Sequence, residues 1–599
     1  MAAEARRSQR TGCTTTKAAS RATTRTTKNS KGRNDKRATS QERPTAARIR
    51  RVARETFGWD ELRPGQLDAV QALVSGHDAL VVMPTGAGKS AVYQVAGLLL
   101  DGPTVVVSPL IALQRDQLAG LARSDAPDAV AVNSAQRTSA TEDAWEAIDA
   151  GEAEFLFLSP EQLAKDDVVD RLADARPSLL AVDEAHCVSA WGHDFRPDYL
   201  RIGDVLERLG RPRVVALTAT ASPPVREEVV ERLRLTDVRQ VVRGFDRPNL
   251  RLEVHRTSDA DDTERQLLDR VAEQRLPGLV YAATRKGTER YAQALTDRGL
   301  KARAYHAGMK AADRREVHEQ FLDGGLDVVV ATTAFGMGID KPDVRFVVHA
   351  QVSDSLDSYY QEIGRSGRDG APATAVLLYR PEDLGLRSFF ASGGADEGVV
   401  REVAAAVRRH TRDDGHPVAA SEVLQELDVP HSTLTRAVNL LEQADHVRVT
   451  DDGDLEYVDP RGSLDDAVDD AVDVAETHKR LERSRVEMMR GYAETTGCRR
   501  QFLLGYFGEE LTEPCGNCDT CTSGSAEEVA EEQAEAVEEA AESGHERYAL
   551  NEHVVHRDWG PGVVMRPEGD RVTVLFEEVG YRTLAHEVLD ADPELLQPE

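Results

Sequence analysis

The chain has 599 residues, too many for a single hydrophobic core, and its 40% hydrophobic content is ordinary for a multidomain globular protein. There is no apolar run long enough to span a membrane, the polar basic start lacks a signal-peptide core, and six cysteines are too few for a disulfide framework. A cytoplasmic protein without membrane contact is expected, and the net charge of −30 weighs against non-specific nucleic-acid binding without excluding a local basic groove.

Residues 1–45 are Thr, Ser, Arg and Lys with almost no large apolar side chains, and residues 1–54 hold 16 Lys/Arg against Glu4, Asp35 and Glu42. Such a segment cannot bury enough surface to offset its ordering entropy, so a disordered basic arm is expected, either a DNA tether or a solubilising tail. From 46 to 244 short apolar strands such as Ala79–Met83, Thr104–Val107, Phe155–Leu158, Leu179–Val182 and Val214–Leu217 alternate with amphipathic helices. The rhythm returns from 245 to 392, with strands at Gly278–Tyr281, Val328–Ala331 and Phe346–His349. Continuous apolar strands between helices predict two parallel sheets covered on both faces, an α/β fold whose ligands sit at the carboxyl ends of the strands.

Met83-Pro-Thr-Gly-Ala-Gly-Lys-Ser90 follows the first strand and opens a helix, as a phosphate loop does, although Met83 stands where glycine is usual. Gly86 and Gly88 let the backbone N–H groups of Thr85, Gly86, Ala87 and Gly88 wrap a β-phosphate; Lys89 reaches the β- and γ-phosphates and Ser90 holds Mg²⁺. Asp183-Glu-Ala-His186 ends the strand Leu179–Val182, placing Asp183 to bind Mg²⁺ and Glu184 to act as general base toward water. A glycine turn or an acidic strand end would explain either string alone; together they converge on one nucleotide, ATP.

The run from Asp183 to Tyr199, with Trp191-Gly-His-Asp-Phe-Arg-Pro197 after the acidic motif, closely resembles the RecQ family of DNA helicases. The resemblance implies two RecA-like lobes and an ATP-dependent 3′–5′ DNA helicase of repair and recombination, associated with the nucleoid. It assigns Trp191, His193, Phe195 and Arg196 to single-stranded DNA, where bases stack on aromatic rings. By the same resemblance Trp59, Arg63 and Gln66 form the adenine-reading element, Ser108–Gln117 follows the DNA backbone, and Thr218-Ala-Thr220 links hydrolysis to lobe movement. Ala334–Val344 then precedes Tyr360-Gln-Glu-Ile-Gly-Arg-Ser-Gly-Arg-Asp-Gly370, in which Arg368 is the favoured trans-cleft finger with Arg365 and Gln361 assisting. The implied partners are single-stranded and tailed or branched duplex DNA. An RNA helicase would lack the Trp191–Arg196 loop, and a DNA-bound scaffold would not need Lys89, Glu184, Arg365 and Arg368.

Residues 396–460 read as a winged helix: Ser421–Leu427 and Ser432–Glu442 as helix-turn-helix, Val447–Tyr457 as hairpin, either touching DNA or serving as packing. Cys498, Cys515, Cys518 and Cys521, in a zinc subdomain spanning 461–523, supply enough thiolates for tetrahedral Zn²⁺ and match the family's spacing. An acidic linker, 524–546, leads to 547–599, read as a small β barrel. That barrel resembles the Tudor-like (SH3-like) tail of UvrD/PcrA-type helicases, which implies RNA polymerase as a partner.

Overall fold

The computed structural model describes residues 45–599 apart from 134–135, 190–195, 334, 336–340, 385–395, 414–415, 451–453, 544–547, 569–570 and 577–578. The expected basic arm, Trp191, His193, Phe195 and most of the motif beginning at 334 therefore lie outside the described residues. Among the described residues, no helix is long and apolar enough to cross a membrane.

Seven strands build the first lobe: β1 (Ala79–Val82), β2 (Thr104–Val107), β3 (Asp128–Val132), β4 (Ala153–Leu158), β5 (Leu179–Asp183), β6 (Arg213–Thr218) and β7 (Arg239–Val242). Their order is β3-β4-β2-β5-β6-β1-β7, and every pair is parallel. Val and Leu dominate the central strands, which are buried from end to end, because helices cover both sheet faces. Strand β6 lies between β1 and β5, with Val82 opposite Thr218 and Asp183 opposite Leu217. Three adjacent strands thus deliver the phosphate loop, Thr218 and Asp183 to one edge.

The second lobe repeats the design with β8 (Leu250–Arg256), β9 (Gly278–Tyr281), β10 (Ala302–Tyr305), β11 (Val328–Ala331), β12 (Phe346–His349) and β13 (Ala373–Tyr379). Its order is β10-β11-β9-β12-β13-β8, again parallel throughout. After β12 the helix Leu356–Ile363 begins at Ser355, whose hydroxyl accepts the Ser358 amide at 3.1 Å. This helix leads directly into Arg365 and Arg368.

Beyond the lobes, the helices Glu397–Asp413, Ala420–Leu427 and His431–Gln443 combine with β14 (Val418–Ala419), β15 (Val447–Val449) and β16 (Asp454–Tyr457). The three strands are antiparallel in the order β14-β16-β15, and the module has its own core around Val403, Val423 and Leu441. A 31-residue helix, Leu464–Glu494, leaves that core at Ala467 and Ala471 and enters the motor core at Met489 and Tyr492. The acidic stretch expected as a linker forms the helix Ser525–Ser543 over most of its length. The chain ends in a five-stranded antiparallel sheet of β17 (His553–His556), β18 (Gly560–Glu568), β19 (Arg571–Phe576), β20 (Gly580–Ala585) and β21 (Leu596–Pro598).

Candidate active site and metal centre

The loop after β1 turns through two glycines with positive φ, 81° at Gly86 and 76° at Gly88, a conformation that costs other residues roughly 1 kcal/mol or more. Lys89 and Ser90 then open the helix Ser90–Gly97. Lys89 is half-buried; its Nζ donates to the Met83 carbonyl at 3.2 Å. Burial lowers its pKa, and the carboxylates of Glu184 and Asp183 oppose that shift. Asp183 is pushed up to about 7 by burial and by neighbouring Glu184, while Lys89 pulls the other way. Two adjacent carboxylates beside the phosphate loop, with the Ser90 hydroxyl opening the next helix, form an oxygen donor set that fits a divalent cation, which Asp183 and Ser90 would hold.

Glu184 sits in the left-handed region, with φ 49° and ψ 47°. That strained backbone aims the carboxylate at His186, whose Nδ1 lies 3.5 Å from Oε2. The Glu184 Oε2 atom is buried and makes no hydrogen bond among the described residues beyond that 3.5 Å approach, which leaves it able to accept a proton as a general base does. His186 Nδ1 also meets Thr218 Oγ1 at 2.9 Å; the Thr218 hydroxyl donates to the Thr220 carbonyl at 3.0 Å. From lobe two, Gln361 Nε2 donates to Thr220 Oγ1 at 3.2 Å. Hydrogen bonds therefore run from His186 of lobe one, which Glu184 approaches at 3.5 Å, through Thr218 and Thr220 to the helix Leu356–Ile363 of lobe two.

The two arginines of that helix end part company. A Cβ placed on Gly86 would have Arg368 Cδ at 3.2 Å, Cγ at 3.3 Å and Nε at 3.5 Å as its nearest neighbours, so Arg368 lies across the cleft on the phosphate loop. Arg365 is buried inside lobe two, close to Tyr281 and Glu362. The sequence favoured Arg368 as the finger with Arg365 assisting it across the cleft; the structure brings Arg368 to the loop and leaves Arg365 inside lobe two.

The expected base-reading residues also lean on the loop. Gln66 Nε2 donates to the Ala87 and Gly88 carbonyls at 3.0 and 2.8 Å, and its Oε1 accepts the Arg63 amide at 2.8 Å. The Arg63 guanidinium donates to the Gly86 carbonyl. Trp59 stacks on Phe57, ring centroids 4.5 Å apart. Gln66 and Arg63 thus brace the loop's carbonyl side, while Trp59 is occupied by its neighbour two residues back. Of the expected DNA contacts, Arg196 is described: its Nη1 donates to the Pro109 carbonyl at 3.4 Å, within the Ser108–Gln117 segment.

Cys498, Cys515, Cys518 and Cys521 converge so that their sulfurs all lie within 4.8 Å of one another. Cys515 and Cys521 Sγ are 3.9 Å apart, close to the roughly 3.8 Å that tetrahedral zinc with about 2.3 Å bonds imposes. Backbone N–H groups already aim at two of the sulfurs, Cys515 N at Cys498 Sγ (3.3 Å) and Asn517 N at Cys515 Sγ (3.4 Å). Burial pushes the Cys521 thiol up to about 12, so a metal ion must drive its ionisation. The donor set fits Zn²⁺. The cluster is welded to lobe two by a parallel bridge between Leu252 and Cys518 and by Asp519 Oδ2, which accepts the Val254 amide at 3.0 Å.

Sequence reasoning missed the aromatic hub behind the cleft. Phe245, in the connection between lobes, stacks on Phe507 at 4.5 Å, and Tyr360 donates to the Phe245 carbonyl at 2.8 Å. Arg226 of lobe one donates to the Phe507 carbonyl at 2.6 Å. Only the aromatic character of these residues was visible in the string.

Family models agree with this layout. The DEAD/DEAH box helicase model matches residues 63–229, the helicase conserved C-terminal domain model 262–370, and the RecQ zinc-binding model 461–522. The protein named ATP-dependent DNA helicase RecQ of Haemophilus influenzae is 33% identical over 481 residues, which cover 80% of this chain and 64% of that one. The probable ATP-dependent DNA helicase RecS of Bacillus subtilis is 32% identical over 480 residues, covering 79% of this chain and 91% of its own length. The chain thus spans less than two thirds of the Haemophilus relative and nearly all of the Bacillus one.

Proposed function

The chain belongs to the RecQ family of helicases, and on that premise we propose that it is an ATP-dependent 3′–5′ DNA helicase acting in repair and recombination. The observation that carries this reading is Arg368 of lobe two lying on Gly86 of lobe one, which makes a complete phosphate site only when the cleft is closed.

In this reading Lys89 and the loop amides from Thr85 to Ser90 bind the phosphates, with Arg63 and Gln66 bracing the loop. Ser90 and Asp183 hold Mg²⁺, which neutralises phosphate charge when bound. Glu184, whose Oε2 makes no hydrogen bond among the described residues, takes the proton of the attacking water. Arg368 offsets charge on the transferred phosphoryl group, and Arg365 anchors the finger-bearing segment from within lobe two. The contacts Glu184–His186–Thr218–Thr220–Gln361 transmit closure from one lobe to the other. Trp191, His193, Phe195 and Arg196 engage single-stranded DNA.

The finer modules are proposed on the same footing. The three-helix module with its β15–β16 hairpin is a winged helix. The final five strands form an SH3/Tudor-like barrel, with RNA polymerase as a partner and the nucleoid as the place of work. The Trp191–Arg196 loop favours DNA over RNA as substrate.

Strand displacement on 3′- and 5′-tailed duplexes, with Lys89→Ala as the inactive control, tests the reading. ATP-dependent opening of 3′-tailed DNA is expected. Opening of tailed RNA alone would make the chain an RNA remodeller, and no opening of either would make it a DNA-bound scaffold.

A further inference from the structure

The C-terminal sheet was expected to hang from an acidic linker, yet one of its faces is part of the motor's core. Val563, Met565, Leu575 and Tyr581 are buried in the same cluster as Tyr360 and Phe507, while Val554, Val572, Val574 and Phe576 form the sheet's own interior. At Gly580 the sheet presses on the long helix so closely that an added Cβ would collide with Ser484. The Arg566 guanidinium lies 3.7 Å from the centre of the Phe502 ring.

Tyr581 stands where three parts meet. Its ring stacks on Tyr506, centroids 5.5 Å apart at 29°. The Tyr506 hydroxyl donates to Asp357, in the helix that carries Gln361 and leads to Arg368. The buried Arg485 guanidinium faces Asp357, Tyr506 and Tyr581. On the other side the Tyr581 side chain lies close to Ser222, the buried residue that precedes helix Pro223–Arg232 and follows Thr218–Thr220.

A second contact reaches the same part of lobe one. Asn551 Nδ2 donates to the Gly508 carbonyl at 3.2 Å, and a Cβ on Gly508 would sit 2.6 Å from Asn551 Oδ1 and 2.8 Å from Pro223 Cγ. His553 lies 3.7 Å from Glu227 on the helix that starts at Pro223.

We propose that the C-terminal sheet is a clamp on the motor, in which Tyr581 is a positioning residue that holds the Ser222 end of lobe one against the Asp357 end of the finger-bearing helix. The inference rests on the proposed function, because it takes the closed cleft as the arrangement that binds and hydrolyses ATP. A clamp that favours the closed cleft raises the fraction of molecules able to bind nucleotide, and apparent affinity scales with that fraction.

The test uses the full chain as wild type, Tyr581→Ala, Tyr581→Phe and Asn551→Ala, each checked for zinc content and melting temperature. Steady-state ATP hydrolysis is followed across ATP concentrations with saturating single-stranded DNA. Tyr581→Ala is expected to raise KM for ATP roughly three- to tenfold with a smaller fall in kcat, and Asn551→Ala to move KM the same way by less. Tyr581→Phe keeps the ring on Tyr506 and loses the hydroxyl; a rise of about twofold supports the clamp even if the alanine variant folds poorly. Unchanged KM in Tyr581→Phe and in folded Tyr581→Ala overturns it, as does faster hydrolysis without DNA, which would make the sheet a brake. Wild type that hydrolyses ATP beside unaltered variants removes the clamp alone, whereas wild type that never hydrolyses ATP removes the helicase reading and the clamp with it.

Discussion

Replacing Arg368 by alanine tests its assignment as the trans-cleft finger ahead of Arg365. The side chain lies 3.2–3.5 Å from the position of a Gly86 Cβ, so truncation removes the guanidinium that lobe two brings to the phosphate loop. Trans-cleft arginines contribute about 10³–10⁵ to kcat in related phosphoryl-transfer sites. Lys89 already places a cation in the same site, within electrostatic range of Arg368, which argues for the lower end. A loss of about 10³ in kcat, equivalent to about 4 kcal/mol of barrier, is expected. Equilibrium binding of a fluorescent ATP analogue should change by less than about threefold, since a group acting in the transition state alters kcat more than ground-state binding. Arg365→Ala is the internal control. Its guanidinium is packed against Tyr281 inside lobe two, so a lower melting temperature with less than about a tenfold loss of kcat is expected. If Arg368→Ala keeps more than a tenth of wild-type turnover, or if the two variants exchange phenotypes, the assignment of the finger is wrong.

Gln361→Ala cuts the link to Thr220 and should leave basal ATP hydrolysis within about threefold while reducing stimulation by single-stranded DNA about tenfold, read from paired assays with and without DNA. Cys521→Ser should abolish bound zinc, measured by atomic absorption, and lower the melting temperature steeply, because structural zinc contributes on the order of 10 kcal/mol; retained zinc would mean a different ligand set. Glu253, hydrogen-bonded to His255 and then Arg251, has its carboxyl held down at about 2. A depressed carboxyl stabilises the fold above its unfolded value near 4.5 and loses that contribution as pH falls toward 2. Glu253→Gln should therefore cost about 1–2 kcal/mol at pH 7 after allowance for partial solvent screening, and progressively less in acid, as followed by urea midpoints.

What could be read in the string was whatever is local. The phosphate loop, Asp183–His186 and the cysteine spacing are contiguous or nearly so, and the central strands announce themselves as unbroken Val and Leu runs. The edge strands did not: β3 begins at exposed Asp128, and β7 carries exposed Arg239 and Gln240, because an edge has one flank in water. The separation of Arg365 from Arg368 was illegible for another reason. Three residues along a turn reverse a side chain's direction, and no periodicity signals which one faces the neighbouring lobe. Gln66 reads as a base-contacting amide, and only the fold shows the Ala87 and Gly88 carbonyls beside it. Tyr581, Tyr506 and Asp357 are more than seventy positions apart in sequence at their nearest, and nothing in the three segments hints that they share a pocket.

The helix Leu464–Glu494 is a gearing element as much as a connection. At 1.5 Å per residue its 31 residues make a rod about 46 Å long. One end is fixed beside the finger-bearing helix, where Tyr492 meets Tyr359 at 3.3 Å between hydroxyls, and the far end carries Ala467 and Ala471 into the three-helix module. A tilt of about 10° at Tyr492 would swing Ala467, about 37 Å along the rod, by roughly 6–7 Å, close to two nucleotide steps of about 3.4 Å along a duplex. Small rotations at the nucleotide site thus become strand-scale travel at the periphery.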